Sequence, residues 1–188
     1  MEPFVALESA GAAFAQRLGL VSESDWDTPT PCEGWTVGDL FNHVVGGNVM
    51  AVRLLAGASK EEAVRELTAA PDGDPSAAFS SSAEAQLAAF REPGALERIV
   101  HHPAMDMPGA QLLGFRIGDL ALHAWDLARA ITQDEALDAG LVRFVWDGLQ
   151  PMAPFIGQIG VFGTGPSGDV ADDAPLQRRL LDLTGRRP

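Results

Sequence analysis

The chain has 188 residues, of which 46% are hydrophobic and 21% charged, and its formal net charge is −13 at pH 7. This charge argues against a nucleic-acid partner, because phosphate neutralisation needs clustered lysine and arginine. No apolar run approaches the roughly 20 residues of a membrane span, and no signal peptide precedes the first helix, so we expect a cytoplasmic protein with a single domain over residues 1–188. The single cysteine, Cys32, excludes an internal disulfide, fits a reducing compartment and is predicted to be a packed thiol.

Hydrophobic periodicity predicts four helices in the first half of the chain, at residues 3–20, 36–55, 59–69 and 75–91. Two prolines and a glycine favour an extended loop over residues 21–35. Within the second helix, a stripe of residues at alternating spacings of four and three indicates the seam of a packed bundle helix. His43 lies at the centre of this stripe, one turn before Gly46 and Gly47.

The second half of the chain continues the helical pattern. Residues 96–108 have no helical period and would form a short hairpin or an irregular crossover. Helices are predicted at residues 109–132, 135–152 and 174–184, with a loop at 154–171, and no segment indicates a sheet. The prediction is an all-α fold, a four-helix bundle with short additional helices and long loops.

The helix predicted at residues 109–132 carries polar residues on an otherwise apolar face. Asp119 and His123 lie one turn apart, and Asp126 projects from the same side. Burying such groups is costly unless they are paired or bound to a metal. Asp119 and His123, together with His43, offer two imidazoles and a carboxylate, the donor set of an open metal site. We therefore predict a divalent-metal site at His43, Asp119 and His123, with zinc as the best fit and nickel or iron as alternatives.

Other interpretations of these residues remain open. His43 would otherwise be a buried neutral histidine, and Asp119 with His123 a local helix pair. Asp126 is predicted to orient a metal ligand or to pair with Arg129, although it would also serve as a ligand in place of Asp119. Further ligands could come from the irregular segment, at His101 or His102.

Two stretches resemble the signatures of a known family. Thr30–Leu40, with the following His43–Gly47, resembles the N-terminal signature of the mycothiol-dependent maleylpyruvate isomerases, and His123–Ala130 resembles their second signature. This group is part of the DinB-like superfamily of metal-binding four-helix bundles. The two stretches occur in the expected order, and the resemblance extends through most of residues 4–185.

The resemblance implies a metal, usually zinc, held by His43, Asp119 and His123. It also implies mycothiol or another low-molecular-weight thiol as a cofactor for isomerisation or thiol transfer on an electrophilic substrate, and a homodimer is common among relatives. Two features depart from the isomerase, which has glutamate at the position of Asp119 and a C-terminal α/β domain that residues 154–188 are too few to form. The alternatives are a non-catalytic metal-binding bundle that acts as a sensor or interaction module, and a bundle without metal.

Overall fold

The computed structural model describes residues 1–67, 71, 73–158 and 165–188. Over these residues the chain forms seven α-helices: α1 (Pro3–Leu18), α2 (Val37–Leu55), α3 (Lys60–Leu67), α4 (Pro75–Arg91), α5 (Gly109–Ala130), α6 (Ala139–Leu149) and α7 (Leu176–Leu183). A 3-10 helix, Gln150–Gln158, follows α6. Two short antiparallel strands, β1 (Ile99–His101) and β2 (Asp106–Pro108), join α4 to α5.

The predicted helices are confirmed, with shifts of a few residues at their ends. The largest shift is at α6, which begins at Ala139 rather than near residue 135. Residues 133–138 before it are not helical, and the Arg17 guanidinium donates to the carbonyl oxygens of Asp134 and Ala136 within them. The predictions for residues 68–69 and 159–164 lie outside the described residues.

The segment before α5 is a hairpin, the first of the two predicted alternatives. Its strands pair Val100 with Met107, and both side chains are buried against the bundle. The hairpin corrects the expectation that no segment forms a sheet. Its strands contain only three residues each, too few for the alternation of polar and apolar residues to stand out in the sequence.

Local side chains start several of these helices. Thr36 and Asp39 form a reciprocal capping box at the start of α2, in which each side chain accepts a hydrogen bond from the other residue's backbone N–H. Asp74 caps α4 immediately before Pro75, and Asp138 caps α6. The N-cap of α2 is therefore fixed at Thr36, seven residues before His43, one of the predicted ligands.

Helices α1, α2, α4 and α5 form the bundle. α1 packs against α5 and α4, and α2 packs against α4 and α5, while α6 packs on α5 and α7 and α3 packs on α2. The largest fully buried side chains include Phe14, Leu40, Phe90, Ile117 and Trp125. None of the helices in the described ranges is long and apolar enough to cross a membrane. Because α2 and α5 are neighbours, the predicted ligands on the two helices can meet.

Gly109 allows the segment between α4 and β1 to approach the start of α5. A Cβ atom at this position would lie 2.0 Å from the backbone carbonyl oxygen of Ala95. We expect Gly109→Ala to lower the free energy of unfolding by about 1–3 kcal/mol, because a backbone carbonyl cannot move aside as a flexible side chain can. Urea denaturation measures this loss.

Gly114 provides the matched control on the same helix. It is exposed, and a Cβ there would meet nothing within 4 Å. Gly114→Ala is therefore expected to leave stability unchanged or to raise it by up to about 1 kcal/mol through helix propensity. Equal effects of the two substitutions would contradict the steric explanation.

Candidate metal centre

Three side chains from α2 and α5 meet at one point on the bundle. His43 Nε2 lies 3.1 Å from Asp119 Oδ1, and His123 Nε2 lies 3.4 Å from the same oxygen. The three donor atoms lie within 4.8 Å of one another. The site faces solvent on one side, since the side chains of His43 and Asp119 are 29% and 24% exposed. The structure thus brings together the three residues that the sequence selected.

The spacing of these atoms suits a tetrahedral metal. With metal–nitrogen and metal–oxygen bonds of about 2.0–2.1 Å, adjacent donors in a tetrahedral site lie about 3.3 Å apart. The distances of 3.1 and 3.4 Å between imidazole nitrogen and carboxylate oxygen are close to this value. Two neutral imidazoles and one carboxylate are also a donor set that zinc accepts. These residues therefore fit a divalent metal with at least one coordination position left for another ligand.

The His123 ring is oriented from its other side. Its Nδ1 lies 2.9 Å from Oδ2 of Asp126, a fully buried carboxylate, so Nε2 faces Asp119 and His43. A carboxylate that accepts from Nδ1–H fixes the tautomer that presents Nε2 to a metal. Asp126 is thus placed to orient the ring of His123, and it is not among the residues that surround Nε2 in this structure.

The structure pairs Asp126 with a different arginine from the one expected. Arg186, from the segment after α7, donates to both carboxylate oxygens of Asp126 at 3.0 and 2.6 Å. Arg129 instead donates to both oxygens of Glu135 and lies over the ring of Trp125, 4.6 Å from its centroid. The expected pairing of Asp126 with Arg129 is therefore corrected.

Cys32 lies closer to the centre than expected. Its Sγ is 3.3 Å from Asp126 Oδ2 and 3.9 Å from His123 Nδ1, and the residue is partly exposed. Cys32, His123 and Asp126 also have donor atoms within 4.8 Å of one another. Because Arg186 already occupies both oxygens of Asp126, we interpret this second group as a hydrogen-bond network that supports His123 and not as a metal site.

Opposite charges control the ionisation of the centre. Burial alone would raise the pKa of Asp119, but the charges of Arg116, His123 and His43 outweigh it and hold that pKa well below its usual range. Burial alone would lower the pKa of His123, whereas the charge of Asp119 and hydrogen bonds to Asp119 and Asp126 raise it well above the usual value. These shifts favour the protonated imidazolium of His123 between the carboxylates of Asp119 and Asp126, and a metal bound at Nε2 would displace the proton from that nitrogen.

The hairpin histidines lie apart from the donor cluster. His101 is exposed, and its Nδ1 lies 3.1 Å from Asp106 Oδ1. His102 accepts a hydrogen bond from the backbone N–H of Ala104, and its ring is nearly perpendicular to that of Phe115, with centroids 6.0 Å apart. In the described part of the chain, neither histidine belongs to a group of three or more potential ligands whose donor atoms lie within 4.8 Å of one another.

Trp35 covers both histidines of the centre. Its ring centroid lies 4.8 Å from that of His43 and 5.9 Å from that of His123. A closed turn holds it there, because Trp35 N–H donates to the Cys32 carbonyl and Trp35 C=O accepts from Thr30 N–H. The proline-containing loop before α2 therefore brings an aromatic ring and a thiol to the same end of the site.

Sequence reasoning assigned no role to two arginines of the site. Arg116 donates to Asp119 Oδ2 at 2.8 Å from one turn earlier on α5, and its spacing of three residues is the signal that could have identified it. Arg186 is separated from Asp126 by 60 residues. Its position depends on how α7 packs, and no local pattern indicates it.

Comparison with known proteins finds one family and related structures. The family model described as the mycothiol maleylpyruvate isomerase N-terminal domain matches residues 7–128. Uncharacterized proteins from two strains of Mycobacterium tuberculosis are 34% identical over 178 residues, covering 95% of this chain and 91% of theirs.

Two crystal structures share the fold. One is of the mycothiol-dependent maleylpyruvate isomerase, with a TM-score of 0.61 and 20% identity over 85% of this chain and 70% of the other. The second is of a histidine-to-alanine variant of that enzyme, with a TM-score of 0.65 and 19% identity over 87% of this chain and 72% of the other. At this level of identity the likeness shows the fold alone.

Proposed function

The chain belongs to the mycothiol maleylpyruvate isomerase N-terminal domain family, and on that premise we propose that it binds a divalent metal and uses a low-molecular-weight thiol in catalysis. His43, Asp119 and His123 would hold the metal, with zinc as the best fit to the donor set. Mycothiol or a related thiol would be the cofactor, and the reaction would be an isomerisation or a thiol transfer on an electrophilic substrate. We place this reaction in the cytoplasm, where Cys32 stays reduced.

One observation carries the proposal: on a partly exposed face of the bundle, the Nε2 atoms of His43 and His123 lie 3.1 and 3.4 Å from the same Asp119 oxygen, close to the spacing of ligands around a tetrahedral metal. A bound metal would supply Lewis acidity, which lowers the pKa of a coordinated thiol or water. Other residues of the chain would surround the metal ligands and orient them. Asp126 orients His123, and Trp35 covers the two imidazole rings on one side.

The open face favours an enzyme over a non-catalytic metal-binding bundle. A structural zinc site is closed by four protein ligands, whereas a catalytic site keeps a position for water or substrate. In the described part of the chain, the cluster at Asp119 Oδ1 contains three candidate ligands. The partial exposure of His43 and Asp119 leaves a route by which a small thiol can reach this point.

Metal analysis tests the proposal directly. Protein purified without a metal-affinity tag is expected to contain about one equivalent of a divalent transition metal. After replacement of this metal by Co²⁺, addition of mycothiol should produce a thiolate-to-metal charge-transfer band in the near ultraviolet. The Cys32→Ser variant is the control, because it should give the same band and so exclude the protein's own thiol as its source.

The other outcomes separate the alternatives. Metal without a thiol band would favour the non-catalytic sensor or interaction module. Absence of metal would favour a bundle in which the three residues are joined by hydrogen bonds and charge alone.

A further inference from the structure

Arg116 is a buried arginine whose hydrogen bonds reach three helices. The residue is only 4% exposed. Its Nε donates to Gln86 Oε1 on α4 at 2.9 Å, and its Nη2 donates to Asn48 Oδ1 on α2 at 2.8 Å and to the Val44 carbonyl at 3.2 Å. Nη1 donates to Asp119 Oδ2 at 2.8 Å. The guanidinium is therefore held from several sides and has little freedom to turn.

Other residues of the bundle are arranged to receive this guanidinium. A Cβ atom at Gly47 would lie 2.2 Å from Nη1 of Arg116, so only glycine leaves room for it on α2. Asn48, which accepts from Nη2, donates in turn to Ser82 Oγ at 3.0 Å, and Ser82 donates to the Phe79 carbonyl at 2.9 Å. The network therefore ties the position of Arg116 to α2 and α4 together.

As a result, the two carboxylate oxygens of Asp119 contact different partners. Oδ2 is engaged by Arg116, and Oδ1 lies between the Nε2 atoms of His43 and His123. We infer that Arg116 is a positioning residue of the centre, which holds the Asp119 carboxylate so that one oxygen faces the two histidines and the other is kept from a metal. This inference rests on the proposed metal-binding function.

A role in stability alone does not explain this arrangement. A buried ion pair contributes little net stability compared with apolar residues of similar volume. Asp119 is partly exposed and could turn toward water, so its orientation needs a fixed partner. An Asp119 with both oxygens free could bind a metal through both and fill a position that a thiol would otherwise occupy.

Two substitutions test the inference by different routes. Arg116→Met removes the guanidinium and keeps much of the side-chain volume. Gly47→Ala leaves Arg116 in the chain but displaces its guanidinium from Asp119. Arg129→Met is the matched control, because Arg129 lies on the same helix and contacts Glu135 instead.

The first measurement uses Co²⁺-loaded protein. Both test variants are expected to change the visible absorption of the bound Co²⁺, which reports coordination number, and to bind Co²⁺ about 10–100-fold more weakly. Arg129→Met should match the wild type. If both test variants unfold at lower temperature while their Co²⁺ spectrum and Kd match the wild type, Arg116 is only structural and the inference is overturned.

The second measurement needs no metal. In histidine side-chain NMR spectra of the metal-free protein, Arg116→Met and Gly47→Ala should shift the ring resonances of His43 and His123 and leave exposed His101 unchanged. These shifts are expected whether or not the wild-type protein binds Co²⁺. A wild-type protein that takes up no Co²⁺ would refute the proposed metal-binding function and not the positioning role of Arg116. Unchanged resonances of His43 and His123 would show that Arg116 does not position Asp119.

Discussion

Replacing His123 with alanine is expected to weaken metal binding by more than about 100-fold. Removing a residue that merely orients a ligand costs about 10–100-fold in metal affinity, and His123 is proposed as a ligand itself. His43→Ala should have a comparable effect, because Nε2 of each ring lies within 3.4 Å of the same oxygen of Asp119. Competition with a chromogenic chelator measures the metal Kd in each variant.

The control for this prediction is the hairpin histidine. His101 is exposed and paired with Asp106, so His101→Ala should leave the metal Kd unchanged. Circular dichroism establishes that each variant is folded before the titration. A His43→Ala/His123→Ala double variant that still carried a full equivalent of metal would refute the assignment of the site.

The second large effect is expected at the buried pair of Asp126 and Arg186. Asp126 is fully buried and Arg186 nearly so, with 0% and 11% of their side chains exposed. We expect Asp126→Leu to lower the free energy of unfolding by about 3–5 kcal/mol, because it leaves the charge of Arg186 buried without its partner. Arg186→Met should cost a similar amount, and urea denaturation in the presence of a chelator measures both without a contribution from bound metal.

A double variant distinguishes this explanation from a loss of packing. Asp126→Leu/Arg186→Met removes both charges and should be clearly more stable than the sum of the single losses predicts. The partly exposed pair of Arg129 and Glu135 is the comparison, and Arg129→Met should cost less than about 1 kcal/mol. Additive losses at Asp126 and Arg186 would show that their charges do not interact in the folded protein.

The helical bundle could be predicted because the sequence patterns that indicate its helices are local. The stripe through His43 follows the helical period, and the capping residues Thr36 and Asp39 fix where α2 begins. The spacing of Asp119 and His123 places both on one face of α5, so they needed only a neighbouring helix with a ligand facing them. Adjacent placement of α2 and α5 then brings His43 to the same point.

The supporting residues could not be predicted because their positions depend on tertiary packing. Arg129 is three residues from Asp126, yet its guanidinium remains exposed over Trp125, while the carboxylate of Asp126 is buried. Arg186 reaches that carboxylate from the segment that follows α7. The same applies to Cys32, since the turn that places its thiol near Asp126 is visible only in the folded loop.

The contact of Arg186 with Asp126 links two equilibria, the docking of the segment after α7 and the orientation of the His123 imidazole. Local opening of the segment after α7 withdraws the guanidinium from Asp126, and Asp126 orients the imidazole of His123. By linkage, a ligand that binds more tightly when Arg186 and Asp126 hold His123 stabilises the docked C-terminal segment by the same coupling free energy. We therefore expect amide hydrogen exchange in α7 and at Arg186 to be slower when a ligand occupies the centre than when the centre is empty.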